Sequence, residues 1–302
     1  MSQHRIVDFV QAQRDRLSYI DLRLRFMGDI RRHDLVNRFS IQVAAATRDL
    51  RLYQELAPGN IDYDRSAKCY IPTAAFKPLF DIPVERVLTW LADGFGDGDP
   101  HENVEGVPCV TPGRLTKPNL NILALITRAI HRGQALQIDY HSISSGRSRR
   151  EIVPSALIDT GLRWHVRAFD RKSGEFRDFV ITRIQKPVLL PDSAIQNQEY
   201  AEHDIQWTRV VELELVPHPD QPRPDITEMD YGMRGGVLRM KLRAATAGYI
   251  LRKWSVDCSP DHSLRGHEYR LWLKDHLALY GVKNAVLAPG YTEQMSGRKH
   301  IG

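Results

Sequence analysis

The sequence predicts an α+β chain of several domains: a winged helix-turn-helix over residues 1–80, a small β-rich domain over 134–191 and an α+β domain over 207–292. Three observations predict it. Three helical segments followed by two short strand-like runs open the chain. At Gln134 the apolar period drops from about 3.6 residues to two. Beyond residue 207, strand and helix signals alternate. A length of 302 residues accommodates two or three domains, each with its own core.

The elements follow in order. Residues 14–27 read as an amphipathic helix, with Leu17, Ile20, Leu24 and Met27 on one face and Gly28 as its stop. A short helix spans Arg32–Phe39, with Leu35, Val36 and Phe39 on one side. Ser40–Ile41 is a tight connection. A third helix runs Val43–Leu56, its inner face Ala46, Leu50 and Tyr53, stopped by Pro58-Gly59-Asn60. Ile61–Tyr63 and Lys68–Ile71 read as a hairpin around Asp64-Arg65-Ser66.

Residues 81–133 read as a connector. It holds a helical piece (Val84–Ala92), a Gly/Asp/Pro-rich run from Asp93 to Pro100, and a helix over Asn119–Arg132. From Gln134, Leu136, Ile138 and Tyr140 alternate with polar residues. A polar loop, His141 to Arg150, comes next. Ile152–Val153, Leu157–Ile158, Arg163–Asp170 and Phe176–Ile184 then read as strands. Pro191–Gln206 reads as a polar linker. The last part holds strands Val210–Val216 and Val237–Leu242, and helices Ala245–Lys253 and Lys274–Gly281.

The formal charge of +5 is unevenly spread. Basic blocks at 1–80 and 119–191 flank an acidic segment at 81–118. Clustered positive charge suits a polyanion such as nucleic acid or nucleotide, or simply a solvated surface. The three cysteines lie far apart with no CxxC pair, which suits a reducing compartment and argues against a disulfide framework. The first residues carry no apolar signal core, and no run approaches the ~20 apolar residues of a membrane span. A cytoplasmic protein is the expectation.

The third helix presents Ala44, Thr47, Arg48 and Arg51 outward. Small Ala44 and Ala45 near its start, beside Gln42, let the backbone approach a groove. The arginines can pair with phosphate or guanine. Arg31 and Arg32, opening the second helix, are placed for the DNA backbone. Lys68 on the hairpin can reach an adjacent groove or phosphate. A solvated three-helix bundle would show the same outer face. The order of short helix, tight turn, helix and hairpin favours DNA. The run Thr47-Arg48-Asp49-Leu50 also resembles the recognition-helix end of winged-helix regulators of the DeoR type.

Strand Arg163–Asp170 puts Arg163, His165, Arg167 and Phe169 on one face, and Trp164, Val166 and Ala168 toward the core. Tyr140, Ser142, Ser144, Arg149, Arg150 and Arg183 can join this face. Guanidinium, imidazole and hydroxyl groups together suit phosphate or nucleotide binding. Charges dispersed around the domain for solubility are the other reading.

Residues 134–190 resemble a WYL domain, an Sm-like β fold. The carrying runs are Leu136-Gln-Ile-Asp-Tyr140, Arg149-Arg-Glu-Ile-Val-Pro154 and Arg177-Asp-Phe-Val-Ile-Thr-Arg183-Ile184. The namesake tripeptide reads Trp164-His165-Val166 here. Winged helix, WYL domain and a C-terminal dimerisation extension (WCX) together resemble the BrxR/CapW-like regulators of anti-phage defence operons such as BREX and CBASS. That likeness includes Arg48-Asp49-Leu50, Tyr53-x-Glu55-Leu56 and Ile61-Asp-Tyr63-Asp. It implies a homodimeric repressor on an inverted-repeat double-stranded operator. It also implies a nucleotide or nucleic-acid effector lined by Tyr140, Ser142, His165, Arg167 and Arg183.

Other motifs fail. The run Asp93 to Asp99 is not a calcium loop: counted from Asp97, position six is Glu102 rather than glycine and position twelve is Pro108 rather than glutamate. His262 and His267 have no matching metal-ligand pair. No GxGxxG, Walker A, GxSxG or HExxH run is present. No catalytic residue, metal or cofactor is therefore expected. The competing readings are a nucleic-acid-binding accessory protein without sequence choice and a nucleotide-directed enzyme.

Overall fold

The computed structural model describes residues 9–93, 95, 108–110, 112–113 and 115–292. The acidic Gly/Asp/Pro-rich run and the rejected calcium loop lie largely outside the described residues. The chain forms two compact units, 1–112 and 113–302.

In the first unit, α1 (Gln11–Phe26) precedes α2 (Arg32–Phe39) and α3 (Val43–Leu56). A hairpin of β1 (Ile61–Asp64) and β2 (Cys69–Pro72) follows, then α4 (Val84–Asp93). The first helix starts about one turn before the expected 14–27, in the polar run Gln11-Ala12-Gln13, which hydropathy periodicity does not mark, and ends at Phe26. Leu17, Ile20, Leu24, Leu35, Ala46, Leu50 and Tyr53 form the core, joined by Val87 and Trp90 of α4. Ile30 and Tyr70 exchange two backbone hydrogen bonds of 2.9 Å, so the segment between α1 and α2 adds a third rung to the wing. Ser40 takes the left-handed conformation (φ 50°) that makes the turn between α2 and α3 tight. Buried Asp21 accepts from the Tyr53 hydroxyl and from the Leu79 and Phe80 amides, tying the chain after the wing to α1.

In the second unit, α5 (Leu120–Arg132) begins at an Asn119 cap, whose side chain accepts from the Asn121 and Ile122 amides. It packs Ile126 and Ala129 onto a five-stranded antiparallel sheet. The sheet comprises β3 (Ala135–Ser142), β4 (Gly146–Asp159), β5 (Trp164–Asp170), β6 (Glu175–Val180) and β7 (Ile184–Leu190), in the order β6-β5-β4-β3-β7. The expected loop from His141 to Arg150 is only the turn between β3 and β4, so Arg149 and Arg150 are strand residues. The runs expected as separate strands at Ile152 and Leu157 are one strand. It continues through a bulge between Pro154 and Ala156, where Pro cannot donate to the ladder. The run Phe176–Ile184 breaks after Val180 into the 3-10 turn Ile181–Arg183.

The expected linker Pro191–Gln206 is ordered and packed. Two 3-10 turns, Asn197–Glu199 and Ala201–His203, lead into α6 (Ile205–Thr208). Two of its carboxylates are buried, Glu199 and Asp204, and Glu199 accepts from the Nε and Nη2 of Arg171 at 2.7 and 2.8 Å. The C-terminal sheet then forms from β8 (Val210–Pro217), β9 (Leu238–Arg243), β10 (Val256–Asp257) and β11 (Leu271–Leu273). Its helices are α7 (Pro224–Asp230) and α8 (Ala244–Lys253). The helix expected at Lys274–Gly281 is a single 3-10 turn, His276–Leu279, with Asp275 capping it. Gly248 lets α8 approach the loop before the last turn. A Cβ there would lie 1.9 Å from the Asn284 carbonyl oxygen.

His218 is buried with Nε2 3.1 Å from Asp257, and His262 packs edge-on against Trp272. Among the described residues no group of three or more His, Cys, Asp or Glu is placed to hold a metal ion. All three cysteines are free; Cys69 and Cys258 are buried and Cys109 is exposed. Among the described residues no helix is long and apolar enough to cross a membrane.

Candidate nucleic-acid interface and sensor site

Helix α3 sorts its residues by face. Ala46, Asp49, Leu50, Tyr53 and Leu56 are buried, whereas Gln42, Ala44, Thr47, Arg48 and Arg51 are exposed and Ala45 is half-buried. The face is held by an ion pair to α1. Arg16 Nε lies 2.6 Å from Asp49, and Nη2 reaches its other oxygen at 3.4 Å. Arg48 has no ion-pair or hydrogen-bond partner among the described residues and stands open to solvent. Arg51 leans on Glu55 at 3.3 Å, a solvent-exposed pair of small worth. The Thr47 hydroxyl donates to the Val43 carbonyl, leaving its lone pairs to accept.

Arg31 and Arg32 are exposed at the start of α2, where Asp34 accepts the Arg31 amide at 2.6 Å. Lys68 is exposed on the wing with a left-handed backbone (φ 53°). The sequence reading missed Arg65. It lies exposed at the wing tip, in a turn where Asp64 accepts from the Ser66 and Ala67 amides. A cation in a short hairpin turn was the available signal.

The cationic face expected on β5 is not a surface. His165 and Arg167 are only 6% and 4% exposed. The alternation misled because both faces of β5 are covered: one by the β-domain core, the other by the linker and α8. Arg163 lies before the strand, in a bend where its carbonyl accepts from Thr160. Arg150 pairs with buried Asp170.

Arg167 is neutralised twice. Its Nε and Nη2 donate to the two Asp204 oxygens at 2.6 and 2.9 Å. Its Nη1 donates to Asp178 at 2.8 Å. Although burial opposes its charge, the two carboxylates hold the Arg167 proton affinity above the ordinary arginine value. The Tyr249 hydroxyl donates to the other Asp178 oxygen at 3.0 Å, and its ring stacks on His165 with centroids 5.3 Å apart. Burial, opposed by Asp178 and reinforced by Arg163 and Arg183, pushes the His165 pKa down, so the ring is neutral at neutral pH. His165 Nδ1 is buried without a hydrogen-bond partner.

Of the other expected ligand residues, Tyr140 is buried. Its hydroxyl accepts the Val180 amide at 3.3 Å, and its ring meets Phe179 edge-on. Val180 pairs in register with His165, so Tyr140, His165, Arg167 and the half-buried Arg183 belong to one neighbourhood. Ser142 and Ser144 lie apart from it on the β3–β4 turn, 3.1 Å from each other. Arg149 is exposed and 3.7 Å from Asp139.

Residues 12–93 match the BrxR transcriptional regulator winged helix-turn-helix domain, 121–189 the WYL domain and 210–279 the BrxR transcriptional regulator C-terminal dimerization domain. Three relatives carry the name DNA-binding transcriptional repressor CapW. That of Escherichia coli (strain KTE188) is 31% identical over 259 residues, covering 83% of this chain and 85% of its own. That of Pseudomonas aeruginosa is 34% identical over 248 residues, covering 80% and 82%. That of Stenotrophomonas maltophilia is 33% identical over 263 residues, covering 82% and 84%. The chain belongs to the CapW family of transcriptional repressors.

The CapW assignment gives each unit a place. Helices α1–α4 and the wing fall in the DNA-binding segment, α5 and the five-stranded sheet in the WYL segment, and β8–β11 in the dimerization segment. Among solved structures, Proteasome accessory factor B/C (PafBC) of Arthrobacter aurescens aligns over 78% of this chain and 44% of its own, at 18% identity and a TM-score of 0.26. In this CapW-family chain the residues that hold the WYL segment to the dimerization segment, Asp178, Asp204 and Tyr249, carried no clear sequence signal. Asp204 reads as a helix cap, and Tyr249 as one more apolar position of α8.

Proposed function

We propose that this CapW-family protein is a cytoplasmic homodimeric repressor of a phage-defence operon that docks α3 into the major groove of each half of an inverted-repeat operator. The carrying observation is the exposed row Gln42, Ala44, Thr47, Arg48 and Arg51 on a helix fixed to α1 through Asp49. Arg48, with no partner among the described residues, can form a bidentate pair with a guanine edge. Arg31, Arg32, Lys68 and Arg65 supply phosphate contacts from α2 and the wing. Dimerisation through the C-terminal segment sets the spacing of the two α3 helices to one or more turns of DNA.

The WYL segment is the sensor of a nucleotide or nucleic-acid ligand. Arg183 and Arg149 remain available to it, together with the hydroxyls of Ser142 and Ser144. The protein acts by binding rather than by catalysis. Footprinting on its own upstream region, followed by titration of the protected duplex with wild type, Arg48→Ala and Arg51→Ala, tests the reading. Either variant is expected to weaken protection of the repeat by about 1–3 kcal/mol. Protection unchanged in both variants overturns the assignment of α3. Addition of nucleotides or oligonucleotides to the bound duplex tests the sensor: release by none of them overturns that half.

A further inference from the structure

We propose that Asp204 is an internal occupant of an anion site on Arg167, and that a phosphate-bearing ligand opens the junction between the sensor and dimerization segments by replacing it. This rests on the ligand-sensing reading above and adds what the ligand displaces.

Asp204 takes the Nε–Nη2 edge of the guanidinium through two parallel hydrogen bonds. That fork accepts a carboxylate or a phosphate with the same geometry. One guanidinium meets two carboxylates here, so one negative charge at the cluster is in excess. Asp178 is fixed in β6 within the sheet and held by Tyr249, whereas Asp204 is carried on the linker, where its other bonds go to the Gln206 and Trp207 amides of the same short turn and can move with it. The exchangeable carboxylate is therefore Asp204.

A cleft of about 250 Å³ opens beside Arg167 and Asp178, with Gln206 of the Asp204-capped turn on its wall, and Arg177, Tyr249 and Lys283 complete the lining with others. Arg177 and Lys283 add two cations, each resting on half-buried Glu175 in solvent-facing pairs that can exchange. His165, stacked on Tyr249, is more than nine-tenths buried and its Nδ1 has no partner.

Asp178 keeps Arg167 neutralised when Asp204 leaves, but the Nε–Nη2 edge then loses both its acceptors. A ligand that brings two acceptor oxygens to that edge, as a phosphate does, opens the junction, and one without them does not. Displacement then reaches the dimerization segment directly. Asp204 caps α6 by accepting from the Gln206 and Trp207 amides. Helix α6 is fixed to the C-terminal sheet and loops: Gln206 bonds the Gly281 carbonyl and the Lys283 amide, and Arg243 bonds the Trp207 carbonyl.

The test uses the full-length protein with inorganic pyrophosphate and tetrathymidylate as probes, separating free phosphate chemistry from that of single-stranded nucleic acid. Calorimetry compares wild type with Asp204→Asn, and amide exchange follows residues 196–209 of the wild type with and without probe. Asp204→Asn is expected to bind one of the probes about tenfold or more tighter, since the internal competitor has lost its charge. Wild type saturated with that probe is expected to exchange faster over 196–209. Equal affinity of both proteins for both probes, or absence of binding by either, overturns the proposal. So does a probe that binds wild type and leaves 196–209 unchanged. If that probe still releases operator, displacement of Asp204 falls while sensing stands.

Discussion

Asp49 and Arg16 join α3 to α1 through a two-point ion pair whose shorter arm is 2.6 Å, with the Asp49 side chain 4% exposed. Arg48, one residue earlier, faces solvent. Adjacent positions thus hold the helix and present it. Asp49→Ala leaves the Arg16 cation without its counter-charge and is expected to destabilise the first unit by about 3 kcal/mol. Arg48→Ala, on the surface, is expected to leave stability within about 0.5 kcal/mol of wild type. Urea midpoints of the two variants check this, and equal midpoints would remove the structural role of Asp49.

Gly248→Ala drives a methyl into the Asn284 backbone, which also anchors the Gly248 amide through its side chain at 3.1 Å. The helix and loop must part, at a cost of about 1–3 kcal/mol. The expected result is a lower thermal midpoint and a weaker dimer, read by sedimentation at falling concentration. Retention of both wild-type values would show that the loop yields freely.

His165 gives the second unit an acid-sensitive term. Its pKa is below the ordinary 6.5, so the unfolded state binds the proton more readily than the folded state. The contribution is fully present above 6.5 and is lost as pH falls through the folded value. Asp178, Arg163 and Arg183 are the charges that bear on the ring. Wild type is expected to lose more stability between pH 6.5 and 5 than His165→Gln. Parallel pH profiles of the two proteins would contradict it.

Arg167→Ala is not a silent probe of ligand binding, because it strands Asp178 and Asp204 inside the junction. An expected loss of about 3–5 kcal/mol follows from the unpaired buried charges. Arg183→Ala and Arg149→Ala, at half-buried and exposed positions, are the variants expected to keep operator binding and blunt its release by ligand. Thermal unfolding sorts the three, and an Arg167→Ala midpoint equal to that of Arg149→Ala would contradict the double pairing.

The DNA-binding half was legible because its signals are local. The stripe of Ala46, Leu50 and Tyr53, the tight turn at Ser40 and the stop at Pro58-Gly59-Asn60 place α3 to the residue. The sensor half was less so. Strand β5 alternates like a half-exposed strand, yet both its faces are covered. The partners that make its cations tolerable lie 11 and 37 positions away, at Asp178 and Asp204. The linker reads as solvated for the same reason: its carboxylates look free until Arg171 and Arg167 are seen against them. No periodicity encodes a pairing between segments so distant.

The central claim is operator recognition through α3. The most direct measurement titrates the full-length protein against its footprinted inverted repeat and a scrambled duplex at physiological salt, with Arg48→Ala alongside. The account predicts that wild type prefers the repeat by roughly 10³-fold or more. It predicts that Arg48→Ala lowers that preference by about 1–3 kcal/mol while binding to scrambled duplex changes little. Equal affinity of wild type for both duplexes, or a preference untouched by Arg48→Ala, would contradict it.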